Sequence, residues 1–142
     1  MGYISHCPIF TFNQKSWEVN SKPSGIDTKI MKTILSQFEA MQSYHNKIFL
    51  LRLDLRQYNE TTTNRHISTF ITGYLNAIKL KYKLLRCGYV WVREKEKANQ
   101  QHYHLVILLD GNKVQRPKHI LDLAKHYWEV RYDGSISWPS KR

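Results

Sequence analysis

The chain is short of cysteine, short of acid and without long apolar runs, and each scarcity narrows what it can be. Cys7 and Cys87 are the only two thiols and form no Cys-x-x-Cys pair, so a structural zinc site built of thiolates is not indicated. Two unpatterned cysteines also agree with a reducing compartment. No apolar stretch reaches membrane-spanning length, and the amino terminus lacks the charged-then-apolar order of a signal peptide. Met1-Gly2 is followed at position 6 by His6, not Ser or Thr, which argues against myristoylation. The expectation is a cytoplasmic protein with no membrane partner. Acids number 11 against 22 lysines and arginines, a formal charge of +11. Such a surface attracts polyanions with strong salt dependence, nucleic acid first among them. Repeats and low-complexity tracts are absent as well, and 142 residues suffice for one domain with a real core.

What is present reads as alternating helices and strands. Residues 1–26 carry Pro8, Pro23 and Gly25 without sustained periodicity and are expected to be an irregular arm. Asp27 or Thr28 can cap a helix in which Ile30, Ile34, Phe38 and Met41 recur at helical spacing to about Tyr44. Lys47 to Arg56 then alternates as a strand, with Phe49, Leu51, Leu53 and Leu55 on one face and Leu50, Arg52, Asp54 and Arg56 on the other. After a polar loop, Asn64 offers a cap for a long helix whose stripe is Ile67, Phe70, Ile71, Tyr74, Leu75, Ile78 and Tyr82. Gly88 is expected to end it. Lys118 to about Val130 suggests a shorter helix with Ile120, Leu123, Ala124 and Tyr127 inward, and Ile136 to Trp138 a short last strand. The fold class expected is α+β, an antiparallel sheet with the two longer helices on one face and an open, charged platform on the other.

The chemistry concentrates in one hairpin. Tyr89 to Val92 and Leu105 to Leu109 are apolar runs, joined through Glu94, a polar segment and His102-Tyr103-His104. Side chains alternate along a strand, so both imidazoles share one face and Tyr103 takes the other. If the loop is symmetric, Glu94 stands opposite His102, and opposed residues of an antiparallel pair share a face. Glu94, His102 and His104 are therefore candidate ligands of one divalent cation, with Asp54 in reserve. A donor set of imidazole and carboxylate suits Mg²⁺ or Mn²⁺, and zinc stays open. Residue by residue, a solvated sheet edge reads the same way.

Val90-Trp91-Val92-Arg93-Glu94, followed by His102-Tyr103-His104-Leu105-Val106-Ile107-Leu108-Leu109, resembles the metal-binding heart of HUH endonucleases. More closely it resembles the inovirus gene-II-like replication proteins, the group called the YagK/YfjJ C-terminal domain. Phe49-Leu50-Leu51-Arg52-Leu53-Asp54-Leu55 is similar to that family's first strand, and the likeness extends over roughly residues 27–138. The resemblance implies an HUH-like domain over residues 27–142 and a nickase of rolling-circle replication, phage or prophage related. In such an enzyme metal held by the histidines and acid polarises a phosphate of single-stranded or hairpin DNA, and a tyrosine attacks it. Arg52, Arg56 and Arg93 are the candidate DNA contacts.

The family's nucleophile lies in a Tyr-x-x-Lys helix beyond the histidine strand, and no such motif follows His104. Tyr127 is followed at the third position by Val130, and Tyr132 by Ser135. Tyr127 is the candidate catalytic residue on position alone; Tyr132, Tyr74 and Tyr82 come after it. The expectation is a shortened copy that keeps the metal hairpin without the nucleophile helix. Three classes stand open: a metal-dependent nickase, a catalytically silent DNA-binding remnant, and a basic RNA- or protein-binding module.

Overall fold

The computed structural model describes residues 4–18, 26–57, 65–95, 101–131 and 134–138. The expected polar loop before residue 65, the Asn64 cap, Tyr132 and Asp133 lie outside them. Among the described residues three helices and eight strands follow one another: β1 (Ile4–Ser5), β2 (Ile9–Phe12), β3 (Lys15–Glu18), β4 (Ile26–Asp27), α1 (Thr28–Tyr44), β5 (Ile48–Gln57), α2 (Arg65–Tyr82), β6 (Gly88–Lys95), β7 (Gln101–Asp110), α3 (Lys118–Lys125) and β8 (Gly134–Ser137). α3 runs on into a π-helical turn, His126–Val130. The class is α+β, and no helix among the described residues is long and apolar enough to cross a membrane.

The central sheet is antiparallel throughout, in the order β6-β7-β5-β8. Its odd-numbered β5 and β7 residues, Leu53, Leu55, Tyr103, Leu105, Ile107 and Leu109, are buried under α2 and α3. α2 contributes the expected stripe, from Ile67 to Ile78, and Tyr74 Oη donates to the Ile120 carbonyl at 2.9 Å. The helix does not run to Gly88. Lys83 adopts φ 56°, and the Leu84 amide turns back to the Lys79 carbonyl at 2.9 Å, so the chain closes the helix without glycine. Gly88 instead opens β6, in close approach to Met41 and Leu108.

One expectation fails on the layers. α1 does not share a face with α2. Leu35 and Met41 of α1 are buried on the opposite side of the sheet, where Ile34, Leu35 and Phe38 line an apolar cavity together with Leu50 and Leu108, and Gln37 Oε1 accepts from the Tyr89 amide at 3.3 Å. The reason is legible in the strands. At that end the even-numbered positions Ile48, Leu50, Val106 and Leu108 are apolar enough to cover the stripe of α1, Asp110 meets His45 at the end of that helix at 3.4 Å, and Arg52, Asp54, Arg56 and the two histidines lie toward the other end. α1 is started by Asp27, whose Oδ1 accepts from the amides of Lys29 and Ile30 at 2.9 and 3.2 Å.

The arm is also more regular than its composition suggests. β2 and β3 form a hairpin whose two turn residues, Asn13 and Gln14, take φ 48° and 64°, the left-handed pair that twists a tight turn correctly. Trp17 of β3 meets Phe38 of α1 edge-on at 5.9 Å, and β1 pairs with β4 at the start of α1. Strands of two to four residues are too short to leave a periodicity in the sequence.

At the far end of the helix layer, the inward residues of the last helix are Ile120, Ala124 and Trp128. Tyr127, expected inward, packs only at the core margin. A stripe at every fourth residue drifts around an α-helix, and the wider π turn brings Trp128 back into phase. Its Nε1 donates to the Arg56 carbonyl at 3.0 Å. A Cβ on Gly134 would overlap that indole and the same carbonyl, so β8 can pass there only as glycine.

Candidate metal and phosphate site

The register of three strands assembles the site. In β7 against β5, His102 stands opposite Arg56 and His104 opposite Asp54; in β7 against β6, the backbone of Glu94 stands opposite His102 and Val92 opposite His104. β8 adds Ser135 opposite Arg56 and Ser137 opposite Asp54. All opposed pairs share a face, and it is the face that α1 covers at its other end. His102 and His104 are half-buried with ring centroids 4.8 Å apart.

Asp54 is the organising group. Its Oδ1 lies 2.7 Å from His104 Nδ1 and 3.2 Å from Arg52 Nε. Partial burial pushes the Asp54 carboxyl up, but the His104 hydrogen bond and the Arg52 charge outweigh it and hold the group below the usual aspartate range. The carboxylate is anionic, and one edge of His104 is occupied by it. Arg52 is half-exposed, its guanidinium at the rim of the cluster.

The other sequence candidates fall differently. Arg52 and Arg56 stand on the histidine face, whereas Arg93 is opposite Tyr103 and belongs to the helix face. Tyr127 lies on the helix side too, its ring near Gly73 of α2 and 5.3 Å from the Arg131 guanidinium. Tyr74 is buried, and burial together with Tyr82 pushes its phenol far above the ordinary range, so no phenolate is available there. Tyr82 packs against the same core. The sheet separates all three tyrosines from the histidines. Sequence reasoning placed Asp54 on this face as a reserve ligand; its bond to His104 was not foreseen, since it depends on the register of β5 against β7. The serines of β8 gave no signal at all.

Among the described residues, no three His, Cys, Asp or Glu side chains come together as a complete metal group. The side chain of Glu94 lies outside the described residues. The donors that are described could take part in holding a cation: two imidazoles lie side by side, and because a carboxylate engages Nδ1 of His104, a cation bound by that ring would take Nε2. Two imidazoles by themselves suit a borderline ion such as Zn²⁺, and a carboxylate in the set would shift the preference toward Mn²⁺ or Mg²⁺.

A structure of the hypothetical protein ORF119 from Sulfolobus islandicus rod-shaped virus 1 is similar over 80% of this chain and 81% of its own, at 12% identity and a TM-score of 0.44. That likeness is too distant to carry a functional argument. No curated protein matches the chain. The YagK/YfjJ C-terminal domain matches residues 11–130, a span that takes in most of the hairpin of the arm, the three helices, and Arg52, Asp54, His102 and His104. The chain belongs to the YagK/YfjJ C-terminal domain family.

Proposed function

We propose that the protein binds single-stranded DNA through a divalent cation held by His102, His104 and Glu94, as a relative of the HUH-type initiators of rolling-circle replication. The observation that carries the reading is the pair of adjacent imidazoles on a charged sheet face, one of them held by Asp54. A bound Mg²⁺ or Mn²⁺ would polarise a phosphate oxygen. The chain's own residues do the rest. His104, held at one edge by Asp54, offers its other edge to the ion. Arg52 and Arg56 stand on the same face, in place to meet the neighbouring phosphates of a strand laid across β5 and β7. The net charge of +11 draws the polyanion in.

Nicking is the finer form of this reading and requires a phenol in line with the bound phosphate. The placement of Tyr127, Tyr74 and Tyr82 on the far side of the sheet favours binding without cleavage by any of these three. Fluorescence anisotropy with labelled single-stranded oligonucleotides tests the proposal. Affinity should rise with Mn²⁺ over EDTA, and His104→Ala should remove the metal-dependent part. Equal affinity with and without Mn²⁺ would contradict it, and a protein-linked DNA band on a denaturing gel would show that a tyrosine reaches the site.

A further inference from the structure

His104 is held in one tautomer by its neighbour. A neutral imidazole carries one proton, and without a strong partner in water it favours Nε2 for that proton. Here Nδ1 lies 2.7 Å from Asp54 Oδ1. Were Nδ1 unprotonated, its lone pair would confront a carboxylate lone pair at hydrogen-bond distance; the contact is favourable only if Nδ1–H donates. Arg52 acts on both sides of this balance. Its Nε donates to the same Oδ1 at 3.2 Å, which keeps the carboxylate charged and in place, while its terminal nitrogen, 3.5 Å from Nδ1, could donate only to an unprotonated Nδ1; at that distance it is much the weaker contact, and the 2.7 Å carboxylate bond decides the tautomer.

We infer that Asp54 is a positioning residue, which fixes His104 as the Nδ1–H tautomer and so presents the Nε2 lone pair to the cation, and that it is not itself a ligand. The inference rests on the metal reading of His104 given above and deepens it. The consequence is a division of labour among the carboxylates: Asp54 orients an imidazole from behind, and Glu94 is left to coordinate. A ligating imidazole that donates its other N–H to a carboxylate has both its ring plane and its basicity set by that bond.

The test needs no DNA and no activity. Long-range proton–nitrogen correlation spectra of metal-free protein with ¹⁵N-labelled histidine, at pH 8, distinguish the two tautomers directly, with His104 assigned by His104→Gln. The native chain should show His104 protonated at Nδ1. Asp54→Ala should move the proton to Nε2 and weaken Mn²⁺ binding by about 10- to 100-fold, the usual cost of losing such a partner. Asp54→Asn keeps an acceptor oxygen, so it should retain the Nδ1–H tautomer and lose less affinity than Asp54→Ala. An Nε2–H signal in the native chain, or an unchanged tautomer in Asp54→Ala, would overturn the inference while leaving the metal reading standing. The expected tautomer in a native chain that binds no Mn²⁺ would overturn the metal reading instead.

Discussion

At the scale of single residues, the site depends on a side chain that never touches it. Trp128 is fully buried, meets Phe70 and Tyr103 edge-on at 5.3 and 6.0 Å, and holds the Arg56 carbonyl from beneath the sheet. Arg56 therefore has its backbone pinned on one face and its side chain directed to the other. Trp128→Phe removes the donor and part of the volume, and should cost about 2–4 kcal/mol from the orphaned carbonyl and the cavity together. Urea denaturation should show this as a lower midpoint at unchanged slope. No shift would mean that the indole bond is dispensable. The two thiols differ for an equally local reason. Cys7 is exposed, whereas Cys87 is partly buried and its thiol is pushed up by that burial, against a smaller opposing pull from Lys79. Thiolate is the reactive form, so iodoacetamide near neutral pH should modify Cys7 well before Cys87, as peptide mass mapping over time would record. Equal rates would contradict the packing around Cys87.

Among the elements, β7 decides the architecture because it is apolar on both faces. Leu105, Ile107 and Leu109 face α2 and α3, and Leu108, 1% exposed, faces α1. Leu108→Ala should cost about 2–5 kcal/mol in thermal or chemical unfolding, as a fully enclosed leucine does. A solvated sheet face would give less than about 0.5 kcal/mol. This is also where the sequence was hardest to read. The stripes of α1, β5 and α2 were legible from spacing alone, and so was the placing of His102 and His104 on one face. The side on which α1 docks was not, because a helix stripe says that something covers it and does not say which surface. Likewise the turn at Lys83 and the π turn before Trp128 are tertiary outcomes: local propensity carries no mark of a left-handed lysine or of a widened helical turn. Asp54 was visible as a charge on the right face. Its bond to His104 became visible only once the register of β5 against β7 was set.

For the molecule as a whole, the two faces of the sheet serve different ends. One is closed by α2, α3 and the π turn and supplies the larger core; the other is closed by α1 at one end and carries the polar cluster at the opposite end. With +11 net charge the binding of single-stranded DNA should weaken steeply with salt, by a logarithmic slope of roughly −0.7 for each phosphate contact. Arg52→Ala and Arg56→Ala should each reduce that slope by less than one contact or about one. Arg93→Ala, on the helix face, should leave it nearly unchanged. A flat salt response in the native chain would favour a partner other than nucleic acid.

The central claim is that one divalent cation sits between His102 and His104, and anomalous diffraction from a crystal soaked in Mn²⁺ tests it most directly. The account predicts a single strong manganese peak bonded to Nε2 of His104 and to a ring nitrogen of His102, with a Glu94 oxygen as third protein ligand and Asp54 on the far side of the His104 ring. A peak bonded to Asp54 in place of His104, or manganese bound elsewhere with the histidine pair bare, would contradict it.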